Sequence, residues 1–114
     1  MDDAGQRHKD LLVIETLKAN GDDGSARRQV DHWIYFDDRE RAQAFIAWAQ
    51  SEQYIFDDEH SHATDDGRFC VRLQHHGSCA IDDIGSHTVV LSRKADEHGG
   101  EYDGWEVPVV RRSH

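Results

Sequence analysis

Proline is almost missing from this 114-residue chain: Pro108 is the one example. Repeats and low-complexity tracts are absent too, so nothing marks a linker, and the length fits one domain, 1–114, ordered from about residue 6 to 108. Cysteine is scarce. Cys70 and Cys79 stand nine apart with no export signal, which argues against a disulfide framework and for reduced thiols. Long apolar runs are lacking as well. The longest are "LLVI" at 11–14 and "VVL" at 89–91, far short of a spanning helix or a signal-peptide core, so a cytoplasmic location with no membrane association is expected.

Positive charge is in deficit. With 13 basic against 23 acidic side chains the net charge is −10, a field that repels polyanions and counts against direct nucleic-acid binding. A basic protein partner fits better. Catalytic signatures are also wanting: there is no nucleophile elbow, no phosphate-cradling glycine loop and no His-Glu-x-x-His pattern.

What is present is periodicity. Residues 6–21 read as a helix with a Leu11, Leu12, Ile14, Leu17 stripe and a stop at Asn20-Gly21. In "RRQVDHWIYF" at 27–36, Val30, His32, Ile34 and Phe36 alternate with Asp31, Trp33 and Tyr35, which predicts a strand with apolar groups on both faces. A helix over 37–53 follows, carrying Ala42, Phe45, Ile46 and Ala49 at helical spacing and a capping box from Asp37 to Glu40. Strands at 54–60 and 68–76 flank a turn-rich "SHATDDG", the second with Phe69, Val71 and Leu73 on one face. Ile81, Ile84, Thr88, Leu91 and Ala95 then line a helix that stops at Gly99-Gly100, and "EYDGWEV" is the last strand. The acid doublets Asp37-Asp38 and Asp82-Asp83 fall at helix starts, where the macrodipole favours them. The βαββαβ order predicts an α+β, ferredoxin-like two-layer sandwich: a four-stranded antiparallel sheet, two helices on one face and an additional N-terminal helix.

Nine histidines raise the question of a metal or an acid/base site. His60 and His62 share a side if the strand reaches them, but His75, His76 and Cys79 lie roughly 20 to 25 Å away along the hairpin, so the two groups cannot share one ion. No metal or other cofactor is expected. His32 reads as a core histidine satisfied by a hydrogen bond, with an enzyme or a metal- or ligand-binding module using His32 or the His60 and His62 pair as the alternative. A second alternative is RNA binding through Trp33 and Tyr35, since recognition-motif proteins share this topology; Cys70 and Arg72 stand where the third strand would need aromatics. Those two rings otherwise form an exposed interaction patch or lie beneath the leading helix.

"GGEYDGWEVPVV" at 99–110 separates Tyr102 and Trp105 by Asp103-Gly104. A regular strand would put the two rings on opposite faces, so either a bulge at Asp103-Gly104 turns the strand or the rings serve different surfaces, and Gly104 leaves a gap for Trp33 or Tyr35 to cover. Together with "RQVDHWIYF", "QYIF" and the run from Leu91 and Ala95, the "GGEYDGWE" motif is similar to that of the regulator of ribonuclease activity B family over nearly the whole chain. That resemblance implies a small acidic cytoplasmic bacterial protein with a ferredoxin-like fold, which binds the endoribonuclease RNase E or another basic RNA-processing protein and inhibits by contact, without a cofactor and without chemistry of its own. Trp33, Tyr35, Tyr102, Asp103, Gly104, Trp105 and Glu106 are the motif and partner-surface residues it implies, a structural role being preferred for the motif. The family pattern has a glycine before the aromatic that opens the second strand, where this chain has Gln53.

Overall fold

The computed structural model describes residues 3–111, and its elements follow the expected order. They are α1 (Asp3–Ala19), β1 (Arg28–Phe36), α2 (Arg39–Ser51), β2 (Ile55–Phe56), β3 (His62–Ala63), β4 (Phe69–Gly77), α3 (Ile81–Glu97) and β5 (Gly100–Glu106). The sheet runs β2-β4-β1-β5 with β3 also on β4, and every pairing is antiparallel. The fold is thus ferredoxin-like, with α1 added to the two helices of the sandwich.

Alternation in β1 and β4 sorts the sheet into two faces. Ile34 and Phe36 from β1, Val71 and Leu73 from β4 and Tyr102 from β5 pack on Ala42, Phe45 and Ala49 of α2 and on Leu91 and Ala95 of α3. A second apolar cluster joins Ile14 and Leu17 of α1 to Val30, Cys79, Ile84 and Trp105. The leading helix therefore widens the helical layer beside α3 and leaves the other face of the sheet bare.

Three local expectations are corrected. The buried line of α1 is Gln6, Asp10, Ile14 and Leu17, whereas Leu11 and Leu12 are exposed. Asp10 takes the core position because its carboxylate finds three donors there. The α2 cap is Asp38, extended in backbone, whose side chain accepts from the Arg41 N–H at 2.8 Å. Position N3 is then Arg41, and no capping box forms. The strand expected at 54–60 shortens to Ile55–Phe56, and a second short strand, His62–Ala63, forms in the stretch expected as a turn-rich loop, because local polar side chains replace ladder bonds between them. Asp57 accepts from the His60 N–H and ring, and Ser61 Oγ accepts from the Arg72 N–H at 2.9 Å.

Gly99 follows the α3 cap His98 with φ +72°, a left-handed helix stop that suits glycine. Gln53 occupies the same region at φ +69° with a side chain attached. Among the described residues no helix is long and apolar enough to cross a membrane.

Candidate interaction surface

The bare face of the sheet is built from the alternate residues of β1 and β4. Trp33 pairs with Arg72 and Tyr35 with Cys70. The Arg72 guanidinium lies 4.9 Å from the Trp33 ring centroid, and the Arg68 guanidinium lies 4.9 Å from that of Tyr35. Both cations are tethered: Arg72 Nη2 donates to Asp31 Oδ2 at 2.5 Å with Asp57 nearby, and Arg68 Nη2 donates to Glu101 Oε2 at 3.3 Å. The rings are half-buried under guanidinium planes that carboxylates hold in place. Cys70 is buried beneath this layer, and desolvation pushes its thiol up, which keeps it neutral and unreactive.

The last strand resolves the Tyr102/Trp105 spacing. Ile34 pairs with Tyr102 and His32 with Trp105, while the register shifts between Trp33 and Ile34, so Asp103 is the extra residue of a bulge. Both rings consequently turn to the core face. Gly104 has φ +142° and points to the bare face opposite Trp33; a Cβ built there would meet no atom within 4 Å. The expected covering ring is not over this glycine. Trp33 stands beside an open notch.

Trp105 reaches a centre that sequence reasoning missed. Its Nε1–H donates to Asp10 Oδ1 at 3.0 Å, Gln6 Nε2 donates to the same oxygen at 2.9 Å, and the Thr88 hydroxyl donates to Oδ2 at 2.5 Å. One carboxylate thus ties α1 to α3 and β5 through three neutral donors. Its sequence signal was its position four before Ile14 and seven before Leu17. Above this centre a groove of about 430 Å³ runs between α1 and β5, walled by Leu12, Val13, Trp33 and Trp105 and rimmed by Asp103 and Glu106.

His32 is in the core, as its strand phase implied, but its partners are side chains. Nδ1 is 2.8 Å from Tyr102 Oη, and Nε2 is 2.8 Å from His75 Nδ1. His75 stacks on His87 with centroids 3.8 Å apart, and His87 Nδ1 meets Tyr54 Oη at 2.7 Å. Burial holds His32 well below the usual histidine range and His75 at about 4; burial lowers His87 as well. The same desolvation raises Tyr102 and pushes Tyr54 up to about 12. The rings are held neutral; among the described residues no carboxylate hydrogen-bonds to His32, and Asp83 acts on His75 and His87 only through space. The His60 and His62 pair is also separated in role: His60 lies in the turn after β2, bonded to Asp57 at 2.8 Å, and His62 is in β3. Among the described residues no group of three or more His, Cys, Asp or Glu is placed to hold a metal ion.

Of the motif residues, then, Trp33, Tyr35, Asp103, Gly104 and Glu106 sit on the bare face or its rim, while Tyr102 and Trp105 are inside. Fold and surface together define a class: a ferredoxin-like α+β protein whose uncovered sheet face carries aromatic rings among carboxylates. The chain belongs to the RraB family, described as regulator of ribonuclease activity B, whose model matches residues 7–107. No curated protein matches the chain. The matched span runs from the first turns of α1 past the end of β5, and so includes every residue of the surface described above.

Proposed function

We propose that this chain is a protein-binding regulator that inhibits the endoribonuclease RNase E, or another basic RNA-processing protein, by docking on it in the cytoplasm, with no catalysis of its own. The observation that carries this reading is the bare sheet face with its adjoining groove. Trp33, Tyr35 and Leu12 offer apolar area; Asp31, Asp57 and Glu101 offset Arg72 and Arg68, and Asp103 and Glu106 add negative charge beside the groove. Such a surface complements a basic segment and gains its association rate from electrostatic steering. Direct RNA binding suits it less. The ring faces an RNA base would need are already occupied on one side by Arg68 and Arg72, whose charges are spent on neighbouring carboxylates.

Purified RNase E, titrated with the full chain in a binding assay and in an RNA-cleavage assay, tests the reading. Binding should weaken by about tenfold or more between roughly 50 mM and 500 mM salt as screening shortens the reach of the surface charges. Cleavage should slow in proportion to occupancy. Absence of binding at low salt, or binding that leaves cleavage unchanged, would overturn the inhibitor reading.

A further inference from the structure

Trp33 is flanked unequally. On its β4 side the guanidinium of Arg72 lies against the ring at 4.9 Å, and on its β5 side the cross-strand neighbour is Gly104, with open space where a side chain would be. Two carboxylates, Asp103 and Glu106, rim this notch, and neither side chain makes a hydrogen bond or an ion pair among the described residues. Leu12, 55% exposed, supplies an apolar wall from α1. Gln6, only 2% exposed, lines the same groove; Asp10 commits its amide N–H, so its Oε1 is left without a donor. Lys9 is the groove's cation, outweighed by the carboxylates of Asp10, Asp103 and Glu106.

We propose that the notch beside Gly104 receives an arginine side chain of the protein partner, its guanidinium against the uncovered flank of Trp33 and between Asp103 and Glu106. This rests on the reading of the chain as a protein-binding regulator and names the chemistry by which it docks. An arginine suits the site on four counts. Its plane stacks on an indole, its weak hydration lowers the cost of entering a half-buried notch, and its fork of donors serves two carboxylates together. Its methylene stem covers Leu12. The sheet face already displays this chemistry twice, in Arg72 on Trp33 and Arg68 on Tyr35. Lysine, a compact and strongly hydrated charge, fits the flat flank less well. A nucleic acid would bring phosphates against Asp103 and Glu106.

The test uses the full chain labelled with ¹⁵N, in which the three tryptophans give separate indole N–H signals. A blocked Gly-Arg-Gly peptide should move the Trp33 signal to saturation at millimolar concentration and leave that of Trp48 unmoved. The same peptide with citrulline, which keeps the shape and removes the charge, should bind about tenfold more weakly or less, and the lysine peptide should fall between. Gly104→Val closes the notch and should abolish the response. Since that backbone conformation disfavours a side chain, the double variant Asp103→Asn, Glu106→Gln provides a second check in an unaltered fold, with binding reduced several-fold. A static Trp33 signal, equal shifts from the citrulline peptide, or full binding by the double variant would overturn the notch. The ribonuclease assay fails or succeeds separately: a Trp33 response without ribonuclease binding overturns the regulator reading alone, and ribonuclease binding undiminished in the double variant overturns the notch alone.

Discussion

Asp10 shows how a single side chain can organise three elements. It is fully buried, and Gln6, Thr88 and Trp105 all donate to it. Asp10→Ala removes the acceptor and strands buried donors on α3 and β5, so stability to urea should fall by about 3 kcal/mol. Asp10→Leu, which restores volume without an acceptor, should recover little of that loss. A change in the other direction is available at Gln53, whose φ of +69° costs an L side chain roughly 1–2 kcal/mol. Gln53→Gly should raise stability by about 0.5–1 kcal/mol after the added freedom of the unfolded chain is allowed for, read as a higher urea midpoint at unchanged slope. The family glycine at this place therefore has a conformational reason. Asp10 has the helical spacing of a core position, but charge is the usual mark of a solvated helix face and masks it, while the apolar Leu11 and Leu12 beside it are exposed. Gln53, by contrast, is legible from the resemblance alone, since the family pattern has a glycine at this place.

At the level of elements, the bulge in β5 decides which way the last strand faces. Deleting Asp103 removes the extra residue and leaves Tyr102 and Trp105 two apart, so a regular strand keeps both rings on the core face and Trp105 on Asp10. The deletion should therefore cost only about 1–2 kcal/mol by urea denaturation and leave Trp105 fluorescence that of a buried indole. Most of the element order was legible, since β1, α2, β4 and α3 each carry the period of their structure through several repeats. The break between β2 and β3 was not, because it depends on Ser61 Oγ meeting the Arg72 N–H and Asp57 accepting from His60, contacts that periodicity does not encode. The site was partly legible for a related reason. Alternation placed Trp33 and Tyr35 on the outer face, and the Asp103-Gly104 pair suggested a bulge, but the guanidinium lids come from Arg68 and Arg72, 33 and 39 residues beyond Tyr35 and Trp33.

For the whole molecule, acid should be the weakness. His32 and His75 are held neutral in the folded state, with His75 at about 4 against an ordinary 6.5. The unfolded chain therefore binds more protons between those values, and stability falls as pH drops from about 7 toward 4. After discounting for the partial exposure of His75, the loss should be about 2 kcal/mol or more by urea denaturation across that window. The ring proton signals of His32 and His75 should stay put down to about pH 5. The same residues form a line across the sheet, from Tyr102 on edge strand β5 through His32 on β1 to His75 on β4. Two proton arrangements satisfy these contacts: Tyr102 donates to His32 Nδ1 and His32 donates from Nε2 to His75 Nδ1, or His75 donates from Nδ1 to His32 Nε2 and His32 donates from Nδ1 to the Tyr102 oxygen. In either one the tautomer of His32 fixes that of His75, so the two rings change tautomer together and the line carries its protons in one direction at a time.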